Sequence, residues 1–387
     1  MKNPSTNSTL WSEEKIILSL LFAVVMIKVC LFGWGFLCFD FAANPDQNLL
    51  SIWDRWDAYW YKTIAISGYK PVGLDEQAQA FISHFTLFYP LLIRIVSKLF
   101  FIAPHSAGFL ISFTLAIANS YLLYWLVKRD FKDQQMAVLS VLFFNLYPTS
   151  YFTNSIYTES LYLFLTLLSF CLIRLQYFFL PGLLGAASIL TRYIGVTILP
   201  AYLWVIWQNR RSWSYKQLFL VILPPFGLAI ELLINIYYFG SPFFVVREHE
   251  NNPASIQTPS FPPIPLKEAI FSLPTLLGNL TSGIWDEFFM MTLGWSAVFT
   301  IFALAVIIIG IYRKLPWDYS IYALSYVLFF SSFTWTISAP RFTFALFPIF
   351  IALATIKNRV AIALISTIFF ILLLHFTRIF VNGSWAF

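Results

Sequence analysis

The sequence predicts an all-α integral membrane protein, a bundle of about eleven transmembrane helices with two more helices lying at the membrane surface. Three observations carry this. Of the 387 residues, 59% are hydrophobic and only 11% charged, where a soluble domain carries roughly a quarter charged. Apolar runs at 15–37, 217–239, 288–312 and 360–380 each reach the ~20 residues that cross a bilayer as a helix, the one open-chain form that satisfies its own backbone in lipid. Between the runs, basic clusters recur at Lys128, Arg129 and Lys132, at Arg210, Arg211 and Lys216, at Arg313 and Lys314, and at Lys357 and Arg359, as expected of short cytoplasmic loops.

The elements follow in chain order. The run 15–37 is too long for a signal-peptide core and has no small-residue cleavage site, so it reads as a retained signal anchor. Two apolar stretches, 85–102 and 106–127, precede Lys128. If both spanned, every basic cluster would face outward. The first also carries Arg94 and Lys98 and is therefore read as an interfacial helix. Eleven spans result, at 15–37, 106–127, 136–148, 157–175, 178–191, 193–208, 217–239, 288–312, 319–337, 342–357 and 360–380. The N-terminus is then cytoplasmic and the C-terminus outside. The chain is one transmembrane domain, 1–387, with two long outer loops, 38–105 and 240–287. The second loop is rich in proline, which disfavours regular structure. Cys30, Cys38 and Cys171 sit in or beside apolar runs and pack as small hydrophobes. Asn7 and Asn279 open weak sequons, and Asn7 falls on the cytoplasmic side.

Candidate chemistry gathers on the outer side. In the first loop, Trp53-Asp54-Arg55-Trp56-Asp57-Ala58-Tyr59-Trp60-Tyr61-Lys62 runs on to Gly68. Read as one helix, Trp53, Trp56, Trp60 and Ile64 form an aromatic stripe at headgroup depth, with Asp54, Asp57 and Tyr61 alongside. Gly68 ends it. Two carboxylates one turn apart beside an aromatic wall suit general-base work, and a merely solvated face explains them as well. His84 to Tyr89-Pro90 opens the second surface helix. Tyr157-Thr158-Glu159-Ser160 puts an acid at the outer end of a span, where it caps the helix or serves a site. Arg192, Arg341 and Arg247 are outer-side arginines. A guanidinium fork grips phosphate bidentately, and snorkelling to lipid phosphates is the plainer alternative.

Some classes are excluded. The chain has no HExxH or Cys/His metal pattern, no Walker A and no Rossmann glycines. A net charge of +6 is too modest to imply nucleic acid. No metal and no cofactor are expected.

The ordered motifs Trp-Asp-Ala-x-Trp-Tyr-x-x-Ile-Ala-x-x-Gly-Tyr from Trp56, Phe-Tyr-Pro-Leu-Leu-Ile-Arg from Phe88, Tyr-Pro-Thr-Ser-Tyr-Phe from Tyr147, Tyr-Thr-Glu-Ser from Tyr157, Arg192 with Gly195, and Pro340-Arg341-Phe342 resemble the PIG-V-like mannosyltransferases, the second mannosyltransferase of GPI-anchor synthesis and its prokaryotic relatives. The resemblance runs from about Trp53 to Pro348, with the 240–287 loop matching poorly. It implies a GT-C-like bundle with two juxtamembrane helices in the first outer loop. It also implies an inverting glycosyltransferase that takes a sugar, expected to be mannose, from polyprenyl- or dolichyl-phosphate as co-substrate. The family's acid falls on Asp57, with Asp54 beside it. Arg192, Arg341 and Arg247 are then candidates for the donor phosphate, and Glu159, Tyr61, His84, Tyr89 and Tyr157 for substrate. The partners implied are the lipid-phosphate sugar, a lipid or glycolipid acceptor, membrane lipids, and in some settings a small membrane subunit. The location is the plasma membrane of a prokaryote or the endoplasmic reticulum of a eukaryote, with the site extracytoplasmic or lumenal. A polymerase or ligase of lipid-linked glycans is the alternative enzyme, and a transporter the alternative without transfer.

Overall fold

The computed structural model describes residues 5–212, 214–251, 294–332 and 338–387. Most of the second long loop, Asn279, the beginning of the 288–312 span and the end of the 319–337 span lie outside the described residues, as do the side chains of Asn7, Glu248, His249 and Glu250. Among the described residues every regular element is helical.

The chain opens with α1 (Ser5–Cys38). The first loop holds α2 (Asp57–Ser67), α3 (Glu76–Phe81) and α4 (Phe88–Phe100). Then come α5 (Pro104–Phe131), α6 (Gln134–Leu146), α7 (Glu159–Arg174), α8 (Phe179–Thr191) and α9 (Ile198–Gln208). The next are α10 (Phe219–Ile222), α11 (Pro224–Phe239), with Pro224 and Pro225 opening its first turn, and the short α12 (Phe244–Asn251). The last are α13 (Trp295–Tyr312), α14 (Trp317–Phe330), α15 (Ala339–Phe344), α16 (Pro348–Ala354) and α17 (Arg359–Val381).

Five helical segments are long and apolar enough to cross a membrane: 13–38, 104–131, 215–239, 295–312 and 359–381. The chain is therefore a multi-pass membrane protein. The expected eleven spans are not all carried by membrane-length helices. α6 and α8 have 13 residues each, about 20 Å at 1.5 Å per residue against a hydrocarbon core of about 30 Å. The expected span 342–357 is two short helices, α15 and α16, because Pro348 restarts the backbone in a new first turn. The stretch read as interfacial forms α4, bent by 93° from the 76–84 segment before it. It is two-faced, with Tyr89, Pro90 and Ile93 buried and Ile95, Leu99 and Phe100 exposed.

The first-loop helix needs a larger correction. It begins at Asp57, not Trp53, because Trp56 adopts φ +51 and breaks the run. Trp53 is wholly buried while Trp56 is exposed, so the expected indole stripe does not form. Gly68 ends α2 at φ +77, as expected, its N–H donating to the Ile64 carbonyl at 2.9 Å. Arg94 of α4 donates from Nη2 to the same carbonyl at 3.1 Å and from Nε to that of Ala65, so the two surface helices are fastened at the last turn of α2.

Lipid tails are as apolar as leucine, so these helices associate through close packing and polar bonds. α8 meets α10 and α11 through glycines. A Cβ on Gly182 would stand 2.2 Å from the Phe219 oxygen, and one on Gly227 2.3 Å from the Ala186 oxygen. Buried polar groups tie distant elements. Lys28 Nζ donates to Thr153 Oγ1 at 2.7 Å. Glu231 Oε1 accepts from the Leu87 N–H at 2.9 Å, and Thr86 Oγ1 donates to the Thr191 carbonyl at 2.6 Å. The approach to α4 is thereby pinned between α8 and α11. At the far end of α7, Arg174 donates to both oxygens of Asp130 and to Asp318, and the Tyr319 hydroxyl donates to Asp130. This binds α5, α7 and α14 together.

Candidate active site

Four segments far apart in sequence deliver one ion-pair cluster. Asp57 is the first residue of α2. Glu159 is the first residue of α7, reached through a 3-10 turn at Ser150–Asn154. Arg192 lies extended between α8 and the 3-10 turn Tyr193–Thr197. That turn is close because a Cβ on Gly195 would stand 2.6 Å from the Ile189 nitrogen. Arg341 lies in α15, whose first turn Pro340 starts.

Arg341 is the hub. Its Nη1 donates to Asp57 Oδ2 at 2.6 Å, and its Nε donates to Glu159 Oε1. Arg192 Nη1 donates to the same Glu159 oxygen, with Thr158 Oγ1 at 3.4 Å. Glu159 is fully enclosed, and its second oxygen, Oε2, has no partner among the described residues. The Asp57 side chain is 24% exposed. Of the two carboxylates, only Asp57 can meet a molecule arriving from outside. Aromatic faces support both cations. Arg341 sits 4.6 Å over Tyr157 and 5.2 Å over Phe152. Arg192 sits 4.9 Å over Phe342. Such contacts are worth most where water is excluded.

Tyr61 is buried beside the cluster, its ring 5.2 Å from Tyr89 and 6.4 Å from Tyr157. Burial pushes its pKa up to about 12, against the pull of Arg341, so it stands as a protonated phenol, able to donate but not to act as a base. The Tyr157 hydroxyl donates to the Arg55 carbonyl at 3.1 Å. The Tyr89 hydroxyl is taken by Ser112 at 2.9 Å and Gly108 at 3.2 Å.

The structure thus joins Asp57, Glu159, Arg192 and Arg341, with Tyr61 and Tyr157 against them. Other candidates lie elsewhere. Asp54 pairs with Lys62, because the break at Trp56 removes it from the face that carries Asp57. His84 shares its Nδ1 with the Phe81 carbonyl at 2.9 Å. Arg247 is exposed on α12 and joins none of the cluster's ion pairs. Thr158, Phe152 and Phe342 touch the cluster and were not foreseen as site residues, although each adjoins or shares a motif with one that was. A cleft of about 260 Å³ opens between α2, α4 and α11, lined by Ile64, Tyr69, Leu87, Leu91, Ile234 and Tyr238 among others. It lies beyond the opposite end of α2 from Asp57.

Fold and site together define a multi-pass helical membrane protein with a half-open carboxylate–arginine cluster at one end of α7. No family model matches the chain, and no curated protein matches it. Among solved structures it is similar to the Archaeoglobus fulgidus oligosaccharyltransferase tethered to an acceptor peptide with an NVT sequon. Identity there is 15% and the TM-score 0.47, over 97% of this chain and 56% of that one. A structure of the same protein with zinc and sulfate gives 15% and 0.40, over 87% and 49%. The chain spans about half the length of these structures.

Proposed function

We propose that the protein is an inverting membrane glycosyltransferase that moves a sugar, mannose by the motif resemblance, from polyprenyl- or dolichyl-phosphate to a lipid-linked or glycolipid acceptor on the extracytoplasmic side. The observation that carries this is the convergence of Asp57, Glu159, Arg192 and Arg341. A carboxylate reachable from outside sits directly against a cation held in place from behind.

The cluster counts two carboxylates and two guanidiniums, so it is neutral when unoccupied. A phosphate lying against Arg341 and Arg192 brings the leaving group beside Asp57. Asp57 then takes the proton of the acceptor hydroxyl as that oxygen attacks the anomeric carbon. The bond from that carbon to the phosphate oxygen breaks, its electron pair leaves with the lipid phosphate, and the centre inverts. Fixed guanidiniums stabilise the departing charge without reorganising. Arg247 is kept outside this role, since it lies apart from the cluster. The apolar cleft beyond α2 suits the lipid tail.

The test is incubation of the purified chain in lipid with polyprenyl-phosphate mannose and candidate lipid acceptors, read by mass spectrometry. Transfer of one hexose with inversion is expected. With a lipid-linked oligosaccharide offered as donor, transfer of its whole glycan and release of the lipid carrier would instead support a ligase, and transport with no transfer product would end the enzymatic reading.

A further inference from the structure

The direction of Asp57 is set by residues outside the cluster. Trp56, immediately before it, has φ +51 and ψ −113, a conformation that an L side chain holds only where its surroundings over-determine it. Those surroundings come from α1, from the last helix and from the segment after it. Trp53 is buried against Phe32, at 5.1 Å, and Phe380, at 6.4 Å. Arg55 donates from Nε and Nη2 to the Val381 carbonyl, at 3.1 and 2.7 Å, at the C-terminal end of α17 where carbonyls lack helical partners. The Trp56 ring meets Trp385 edge to face at 5.2 Å. The Trp385 segment is itself anchored, since the Tyr151 hydroxyl donates to the Ala386 carbonyl and Phe387 packs on Phe376 at 4.9 Å.

Without these contacts, the pattern from Trp53 to Lys62 is that of one continuous helix. Trp56 is the joint between that held segment and α2, so relaxing it to negative φ would change how Asp57, the first residue of α2, is set relative to the bundle that carries Arg341. We propose that Arg55 and Trp385 are positioning residues for Asp57, holding the strained turn at Trp56 and so aiming the carboxylate at Arg341. This rests on the reading of Asp57 as the acting carboxylate.

The test reads geometry without transfer. In the full chain with Cys30, Cys38 and Cys171 changed to Ala, Asp57→Cys is titrated with anionic and cationic methanethiosulfonates of similar size. A thiolate beside Arg341 should react with the anionic reagent roughly 5–10-fold faster, and adding Arg341→Ala should remove that preference. Trp385→Ala and Arg55→Gln should bring it close to unity, while Trp385→Phe, which keeps an aromatic edge, retains it. Should Trp385→Ala fail to fold, Trp56→Ala decides. Trp56 is exposed, and alanine removes the ring that meets Trp385 without itself favouring positive φ, so the fold should persist while the preference falls. An unchanged preference in Trp385→Ala or Trp56→Ala overturns the proposal. With Asp57 present, Trp385→Ala should lower kcat about 10–100-fold with the donor KM unchanged. If Asp57→Asn transfers sugar normally, the functional reading fails, and the thiol result still reports whether the turn is held.

Discussion

At the scale of residues, two carboxylates of the same cluster have different fates. Glu159 has no exposed surface and faces two arginines, whereas Asp57 meets one arginine and is partly open. Asp57→Asn should cut turnover by about 10²–10⁴ with the fold intact, and Asp54→Asn, paired with Lys62 on another face, should cost little. Comparable losses in both variants would remove Asp57 from its role. Glu159→Gln should act differently. It leaves two cations in a buried place without their carboxylate, a change that costs about 3–5 kcal/mol, so a marked drop in thermal stability is expected. A variant as stable as the parent would mean that the arginines find other partners. Arg341→Lys keeps the charge but cannot reach Asp57 and Glu159 from two nitrogens of one plane. Donor binding should weaken about 10-fold or more, and unchanged donor KM would take Arg341 out of the phosphate site. Asp57, Glu159, Arg192 and Arg341 could each be singled out in the sequence, because an ionisable group at a membrane edge stands out there. Trp385 could not, because one more aromatic beside an apolar run carries no signal.

At the scale of elements, α8 is the part that delivers Arg192, and glycines fix its seat. Gly227→Val should push α11 off α8, because even the first carbon added would stand 2.3 Å from a backbone oxygen. A loss of about 1–3 kcal/mol is expected, seen as a lower unfolding temperature. Transfer should fall as well, since the far end of α8 carries the arginine. Normal stability would show that the two helices slide apart without penalty. α2 teaches the opposite lesson. Its end was legible, because Gly68 takes φ +77. Its beginning was not, because the periodicity of Trp53, Trp56 and Trp60 fits a longer helix, and only contacts from α1, from α17 and beyond show why it breaks at Trp56. Likewise the expected span 342–357 ran straight through Pro348, because whether a proline bends a span or divides it depends on what packs around it.

At the scale of the whole molecule, α7 separates two ion-pair groups. Glu159 begins the helix and Arg174 ends it, so about 22 Å lie between them at 1.5 Å per residue. The proposed topology puts the Glu159 end outside and the Arg174 end in the cytoplasm. Single cysteines placed by Lys70→Cys and Arg211→Cys, with the natural cysteines removed, should report this. A membrane-impermeant maleimide should label position 70 in intact cells and position 211 only after permeabilisation. Labelling of both from one side would break the eleven-span scheme. Composition and hydropathy were enough for a helical membrane protein, because lipid admits few backbone solutions and each leaves a long apolar signature. The same arithmetic does not by itself confirm eleven crossings, since helices such as α6 and α8 are apolar yet short. The sequence by itself determined the solvent of this protein, its helical class and the ionisable residues worth watching, since these follow from composition and local pattern. Tertiary structure alone decided that Asp57 and not Asp54 meets Arg341, that Glu159 backs both arginines, and that the last helix holds the turn before α2. Apart from Glu159 and Arg192, 33 residues apart, those are contacts between positions more than 100 residues apart, and no local pattern records them.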